Sequence, residues 1–306
     1  MSEDPTDIDH PHAERHGIIY ASTAYLIWAV MPLYWNLLVY VPSVELATHR
    51  ILWCAICVFA ISALRGRLPH LRQIVRNPKL LRTLMLTSVL ITCNWTIFIY
   101  CVESHQLVAA SLGYYITPLI SIALGVALLG ERITPVKIGA IALATAAVVW
   151  QAVELGYIPW VSPALAFLFG FYGYFRKLTP VDSLDGLTVE TCLLFPITLL
   201  LVGYWFMDGT GAFPKAGAYT NTLLVFAGPL TAIPLVLFAA GARRVPMVTL
   251  GFLQFMSPTL TLVIAVAFLG EHFTRLDVIT FGCVWGALLI VGLEGRIRRF
   301  AAGRAL

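Results

Sequence analysis

The chain has 306 residues, of which 59% are hydrophobic and 12% charged, and its net charge at neutral pH is +4. Soluble domains carry about 25% charged residues, so this sequence lacks the polar surface that a water-soluble protein needs. The basic residues are not interleaved with side chains that read bases or phosphates, which excludes a nucleic-acid-binding protein.

The first 16 residues are acidic, contain several histidines and precede the first apolar run. A secretory signal begins with basic residues and ends at a small-residue cleavage site, and residues 1–16 have neither feature. We therefore interpret them as a short disordered cytoplasmic tail.

After this tail, the sequence consists of apolar runs of roughly 20 residues, the length that crosses the hydrocarbon core as a helix. Because unpaired backbone groups in lipid cost several kcal/mol each, every run is predicted to be helical. The predicted fold class is an all-α integral membrane protein with ten transmembrane helices. Proline and glycine separate the predicted spans, which cover residues 17–39, 43–64, 80–101, 107–129, 135–153, 158–176, 185–206, 220–241, 246–269 and 275–295.

Lysine and arginine are distributed unevenly between the two sides of these spans. The side that holds both termini and the connections after even-numbered spans has 17 of the 20 basic residues. The exceptions are Arg50, Lys215 and Arg275. Since cytoplasmic loops carry the excess of basic residues, both termini are predicted to be cytoplasmic.

The second predicted helix contains His49 and Arg50, and the seventh contains Glu190. An arginine at mid-span costs about 2.5–3.5 kcal/mol on insertion scales, so it needs a partner or water. The functional interpretation of these charges is coupling or recognition of a charged substrate. The structural interpretation is an ion pair or a helix cap. The functional and the structural interpretation both stay open.

The third predicted helix carries Asn94 and Trp95 near its middle. An asparagine within a span often bonds a neighbouring helix, at about 0.6–2 kcal/mol. In a protein with a water-filled path it can also line the cavity, and we favour that role for Asn94.

Pro118 in the fourth predicted helix and Pro258 in the ninth each free the carbonyl four residues earlier. A broken helix of this kind creates a polar site at membrane depth, although a simple structural kink explains the prolines equally well. The polar residues near the two prolines are candidates for the cavity: Ser111, Tyr114, Tyr115, Gln254 and Ser257.

The sequence contains an internal repeat. Residues 117–134 (TPLISIALGVALLGERIT) match residues 257–274 (SPTLTLVIAVAFLGEHFT) at an offset of 140. The same offset relates Arg50 to Glu190, and either it or one residue more relates further pairs: Trp28 and Phe169, Tyr34 and Phe175, Glu45 and Asp185. Each half holds five helices, and an odd number inserts the two halves in opposite directions.

We therefore predict two inverted five-helix repeats, residues 17–153 and 158–295, with a basic cytoplasmic tail at 296–306. Inverted repeats that meet near the membrane midplane are an architecture of secondary transporters, with substrate bound at the repeat interface. The alternative is a duplication that serves only as a scaffold.

Specific segments of the chain resemble the EamA domains of the drug/metabolite transporter superfamily, and the RarD subgroup within it, over nearly the whole length. These segments are WAVMPLYW (28–35), VELATHRILW (44–53), CNW (93–95), SLGYYITPLI (111–120) with LLGERIT (128–134), and TLGFLQFMSPTL (249–260) with FLGEHFT (268–274). The resemblance implies a bacterial inner-membrane permease that exports metabolites or drug-like compounds. It also implies a cavity role for Trp28 and Asn36 in the first helix and Tyr172 in the sixth.

No ATP-binding or hydrolase motif occurs in the sequence, so we predict a transporter that is neither an enzyme nor driven by ATP. Cys54 and Cys57 lie in an apolar run without a second pair of ligands, and we predict no metal and no cofactor. The expected partners are a small-molecule substrate and the lipid bilayer. Small-residue pairs in the fifth and tenth helices (Ala142 with Ala146, Gly282 with Gly286) indicate helix packing or a homodimer contact. Import, facilitated passage, and a non-transporting enzyme or scaffold are the alternatives.

Overall fold

The computed structural model describes residues 11–103, 107–156, 160–268 and 275–303. Within these residues the regular structure is entirely helical. The twelve helices of this part of the chain are α1 (Pro11–Asn36), α2 (Ser43–Leu64), α3 (Leu68–Arg76), α4 (Pro78–Glu103), α5 (Leu107–Leu129), α6 (Pro135–Leu155), α7 (Val161–Leu178), α8 (Ser183–Asp208), α9 (Gly217–Ala242), α10 (Met247–Gln254), α11 (Met256–Phe268) and α12 (Arg275–Gly303).

Seven of the described helices are long and apolar enough to cross a membrane, namely α1, α2, α4, α5, α6, α8 and α9. The described side chains of α12 cover the apolar stretch Val278–Glu294, and Arg176 with Lys177 in the last turn of α7 lowers the hydropathy of that helix. These helices confirm the prediction of an all-α, multi-pass membrane protein.

Helix bounds agree best with the sequence where the apolar run ends at a proline or glycine, as in α2 and α5. The two tails differ from expectation, because α1 already begins at Pro11 and α12 continues to Gly303. A helix satisfies its own backbone hydrogen bonds, so it can continue beyond the apolar run into a polar flank. Residues 1–10 and 304–306 lie outside the described part of the chain.

The amphipathic helix α3 was not predicted, because the sequence between the second and third spans was interpreted as a loop. Its apolar residues Leu71 and Ile74 are buried, whereas its basic residues are exposed. Leu71 and Ile74 pack in a cluster with Leu84, Val181 and Val189, so α3 lies against α4 and α8.

Close helix packing builds the centre of the bundle. The largest apolar cluster joins α1, α2, α4, α7, α8, α9 and α10, with small residues such as Ala21 and Ala24 on α1. A Cβ at Gly228 on α9 would overlap the backbone of Trp53, so glycine is required where α9 meets α2. The fifth and tenth predicted helices, α6 and α12, also pack together. Their contact uses Ala140, Ala144 and Ala147, whereas Ala142 and Ala146 are exposed.

Different connections meet at the two ends of the bundle. At one end, the Tyr40 hydroxyl lies 2.7 Å from Thr220 Oγ1, and Glu45 accepts a 3.2 Å hydrogen bond from the Phe213 amide. At the other end, Arg67 donates to Asp182, and Arg243 donates to the Val181 carbonyl. We call these the α1–α2 end and the α7–α8 end.

Candidate functional site

Arg50 lies inside the bundle, about 10 Å along α2 from its first residue at 1.5 Å per residue. Its guanidinium carbon is 4.5 Å from the centre of the Trp35 ring on α1 and 5.1 Å from that of Trp95 on α4. Its Nε donates a 3.2 Å hydrogen bond to Thr231 Oγ1 on α9. Four helices therefore hold this cation, and each desolvated cation–π contact can contribute about 2 kcal/mol.

Arg50, Trp35, Trp95 and Tyr114 line a partly accessible space between α1, α2, α4 and α5, which we call the cavity. The Arg50 and Tyr114 side chains are both deep among protein atoms. Nevertheless, 42% of the Tyr114 surface is accessible, and Arg50, Trp35 and Trp95 are all partly accessible. Side chains that are surrounded by protein atoms and still accessible face a space between the helices. Tyr114 is also close enough to Arg50 to interact with it electrostatically.

None of the described acidic side chains neutralises the charge of Arg50. Among the side chains that the structure describes, no carboxylate lies within 4.0 Å of its guanidinium, and the Nε–H is the donor that has an acceptor. An arginine at membrane depth is costly and needs a partner or water. The partial accessibility of Arg50 leaves room for water at the guanidinium, and it also leaves the cation available to a solute.

His49, the neighbour of Arg50, contacts other residues: Trp53, Glu45 and Phe213. Its Nδ1 accepts a 3.2 Å hydrogen bond from the Trp53 indole, and its Nε2 lies 3.7 Å from the Glu45 carboxylate. The His49 ring also packs on Phe213 at 5.2 Å. This buried group ties α2 to the connection before α9, so its position fits the structural interpretation.

Glu190 forms a sealed ion pair with Arg176. The Arg176 Nε and Glu190 Oε1 atoms are 3.6 Å apart, and the two side chains are 1% and 2% exposed. Thr87 on α4 donates a 2.5 Å hydrogen bond to the same carboxylate oxygen, and Arg176 donates to the Ser183 carbonyl. In the sequence, Arg176 is one of the basic residues at the cytoplasmic ends of the predicted spans, and nothing there indicates that it pairs with Glu190.

The ninth predicted span is broken at Gln254. Helix α10 ends there and α11 begins at Met256, as expected when Pro258 cannot bond the Gln254 carbonyl. The buried Gln254 side chain accepts a 2.9 Å hydrogen bond from Ser121 on α5 and lies next to Tyr25 on α1. In contrast, α5 continues through Pro118 without interruption.

Several other candidates lie in packing positions. The Asn94 amide is buried and donates a 3.0 Å hydrogen bond to the Leu165 carbonyl on α7. Tyr115 is buried against Phe281 on α12, and Tyr172 stacks on Phe238 and lies beside Glu190. Trp28 is half-buried and packs on Phe238 and Phe169.

The last three candidates are Asn36, Ser257 and Ser111. Asn36 is exposed at the end of α1, and Ser257 is half-buried in the first turn of α11. The Ser111 side chain lies outside the part of the structure that is described, as do residues 269–274 with Glu271. The structure thus brings Arg50, Trp95 and Tyr114 together around one space, with Trp35 as a member that was not among the leading candidates.

The chain is similar in sequence and fold to known proteins. A profile of the EamA-like transporter family matches residues 15–152. The chain is 40% identical over 281 residues to an uncharacterized transporter of Pseudomonas aeruginosa, covering 92% of this chain and 94% of that protein. It is 39% identical to the uncharacterized transporter YojE of Bacillus subtilis, covering 91% and 94% of the two chains.

Protein RarD of Escherichia coli is 36% identical, covering 92% of this chain and 95% of that protein. A solved crystal structure has a similar fold, with a TM-score of 0.67 at 16% identity, covering 92% of this chain and 97% of that one. The protein therefore belongs to the EamA-like family of membrane transporters and is of the RarD type.

Proposed function

We propose that the protein is a secondary transporter that exports small solutes by alternating access between two inverted five-helix repeats. One observation carries the proposal: equivalent positions of the two repeats are open at one end of the bundle and sealed at the other. Arg50 faces the cavity, whereas Glu190, its counterpart at an offset of 140, is buried against Arg176.

The correspondence extends to the partners of these residues. Trp35, which stacks on Arg50, is related to Arg176, which pairs with Glu190, by an offset of 141. In both pairs, a threonine from the third helix of a repeat completes the contact: Thr231 on α9 for Arg50 and Thr87 on α4 for Glu190. The helix contacts follow the same symmetry, since α1 packs on α9 and α11, and α7 packs on α4 and α5.

We propose ten spans in total. The seven long apolar helices are joined by α7, by α12 and by α10 with α11 as one interrupted span. Helix α3 then lies along the membrane surface with its basic side chains in water. The first repeat comprises residues 17–153 and the second comprises residues 158–295.

The excess of basic residues supports an orientation in which the α7–α8 end is cytoplasmic. That end holds Arg67, Arg243 and helix α3. We accordingly refer to it as the inner end, to the α1–α2 end as the outer end, and to the membrane as the bacterial inner membrane with both termini inside. Arg50 then lies in the outer half of the membrane, and Glu190 lies in the inner half.

Alternating access follows from this asymmetry. If the repeats exchange conformations, the contacts around Glu190 open and those around Arg50 close, which exposes the cavity to the opposite side. Such an exchange needs no ATP, because two inverted halves supply two states of similar energy. Export as the direction rests on the resemblance to the RarD group.

Counterflow and labelling test the proposal. In a cysteine-free background, cysteines at positions 114 and 215 should react with an impermeant maleimide from outside, and a cysteine at position 72 from inside. Proteoliposomes should show counterflow of at least one solute whose level in the medium falls when the gene is deleted. Labelling of position 72 from outside would contradict the orientation. Absence of counterflow for every such solute would favour an enzyme or a scaffold.

A further inference from the structure

The guanidinium of Arg50 has hydrogen-bonding capacity that the described structure does not use. Arginine has five N–H donors in one plane, and here only the Nε–H bonds a protein acceptor, Thr231. Trp35 and Trp95 pack near the guanidinium carbon at 4.5 and 5.1 Å. The two terminal nitrogens are not among the buried atoms that lack a partner, so they are open to the cavity.

We propose that this cavity binds amphipathic organic anions, with a carboxylate or similar planar anion on Arg50 and an apolar body against the aromatic wall. This inference rests on the proposed transport function and names the class of solute. A planar guanidinium with free terminal nitrogens matches the two oxygens of a carboxylate in a fork geometry. The charge-assisted hydrogen bonds would replace the water that solvates Arg50 in the empty cavity.

The charge balance favours an anion over a zwitterion or a cation. An ammonium group needs a free carboxylate. However, the buried acidic side chains that the structure describes in the bundle already have partners. Glu45 contacts His49, and Glu190 pairs with Arg176. Asp185 pairs with Arg67, and Glu131 accepts hydrogen bonds from the amides of Met247 and Val248. Among the described side chains, the cavity therefore presents a cation without a complementary acid.

The wall of the cavity favours an apolar and preferably aromatic body. Trp35, Trp95 and Tyr114 present ring surface to it, and Phe98 packs on Tyr114 at 6.0 Å. Aromatic side chains bury large areas and prefer offset or edge-to-face contacts with other rings. The two tryptophans act as positioning residues, since they hold the guanidinium and limit its contact with water.

A matched set of three solutes tests the inference: 3-phenylpropionate, its neutral amide 3-phenylpropanamide, and phenylalanine, which adds an ammonium group to the acid. Equilibrium binding to the full-length protein in nanodiscs measures each affinity. The acid should bind at least about tenfold more tightly than the amide, because charge-assisted hydrogen bonds are roughly twice as strong as neutral ones. Phenylalanine should bind more weakly than the acid, because its ammonium must be desolvated without a partner.

Variants locate the effect. Arg50→Gln should reduce the affinity for the acid by about tenfold or more, to that of the amide. Arg50→Lys should recover only part of it, because lysine keeps the charge but loses the planar fork. Arg244→Gln is the matched control, since Arg244 also packs on an aromatic ring, Tyr20 at 5.5 Å, at the other end of the bundle. It should leave all three affinities unchanged.

Equal affinity for the acid and the amide in the unaltered protein would overturn the inference without any variant, as would phenylalanine binding as tightly as the acid. Retained binding of the acid by a folded Arg50→Gln protein would also overturn it. Failure of the transport proposal gives a different result. If other solutes show counterflow but 3-phenylpropionate does not bind, transport stands and the anion class fails. If the acid binds through Arg50 but no solute shows counterflow, the site stands and transport fails.

Discussion

Arg50 and Arg176 are both arginines within the helical bundle, and they differ in what stabilises the charge. Arg176 is 1% exposed and pairs with the Glu190 carboxylate. Arg50 has two indole rings, one threonine and accessible space around it. A charge that is already neutralised by a buried acid can hold helices together but offers little to a solute. A charge that is stabilised by rings and water keeps its hydrogen-bonding groups available.

The largest expected effect comes from breaking the sealed pair. Arg176→Met leaves the buried Glu190 carboxylate unpaired, and Glu190→Met leaves the arginine unpaired, so each should cost about 3–5 kcal/mol of stability. The double variant removes both charges and should be much closer to the unaltered protein. Arg50→Met leaves no acid unpaired and should cost clearly less than Arg176→Met. Thermal melting in detergent measures all four proteins.

Two results would contradict this difference between the arginines. The first is a double variant whose loss equals the sum of the two single losses. The second is an Arg50→Met protein that melts as early as Arg176→Met does. The first result would mean that Arg176 and Glu190 do not stabilise the fold as a pair. The second would mean that the two arginines have similar structural weight.

The sequence identified Arg50, Trp95 and Tyr114 at the accessible site, but of the sealed ion pair it identified only Glu190. Arg50 and Glu190 were recognised because an ionisable residue within an apolar run is unusual. Arg176 was missed because it stands in the last turn of α7, where a basic residue also favours the helix dipole and the cytoplasmic side. Only the turn between α7 and α8 brings it back against Glu190, and that contact is tertiary.

The same limit applies to the uncharged candidates. The break in the ninth span could be located from Pro258, because a proline removes a particular backbone hydrogen bond. In contrast, the sequence did not distinguish Tyr114, which is accessible, from Tyr115, which is buried. Adjacent residues of a helix point about 100° apart, and the sequence contains no polar face that fixes which of them meets the cavity.

Gly186 offers a way to disturb the sealed pair without removing a charge. A Cβ at this position of α8 would come within 2.7 Å of Arg176 Nη2 and 2.8 Å of Cζ. The guanidinium cannot move away without leaving Glu190, so Gly186→Ala should cost about 1–3 kcal/mol, as overpacking does in other cores. Melting in detergent again measures the loss.

Gly203 is the matched control in the same helix, because no heavy atom lies within 4 Å of a Cβ built there. Gly203→Ala should be neutral or should stabilise by up to about 1 kcal/mol through helix propensity. Equal melting temperatures for the two variants would show that Arg176 does not need the space above Gly186. It would also weaken the argument that this guanidinium is fixed in place.

The smallest effect is expected at the third arginine contact, where Arg67 donates a 2.5 Å hydrogen bond to Asp182 at the inner end. Burial acts to raise the pKa of the Asp182 carboxyl, but the hydrogen bond and charge of Arg67 outweigh it and hold the pKa below its ordinary value of 3.8. A lowered pKa in the folded state stabilises the protein above pH 3.8, and this stabilisation is lost as the pH falls through the folded-state pKa.

Asp182 also caps α8 by accepting a 3.1 Å hydrogen bond from the Leu184 amide, so its two roles can be separated. Asp182→Asn keeps a cap acceptor and loses only a half-exposed ion pair, which should cost less than about 1 kcal/mol at pH 7. Asp182→Ala loses the helix cap as well and should cost about 1 kcal/mol more than Asp182→Asn does. The difference between the unaltered protein and Asp182→Asn should shrink in melting experiments as the pH falls below 3.8, and it should disappear below the lowered folded-state pKa, where the carboxyl is protonated in both states. If that difference persists at low pH, charge is not its cause. If Asp182→Asn is instead as damaging as Arg176→Met, an exposed ion pair here matters as much as a sealed one.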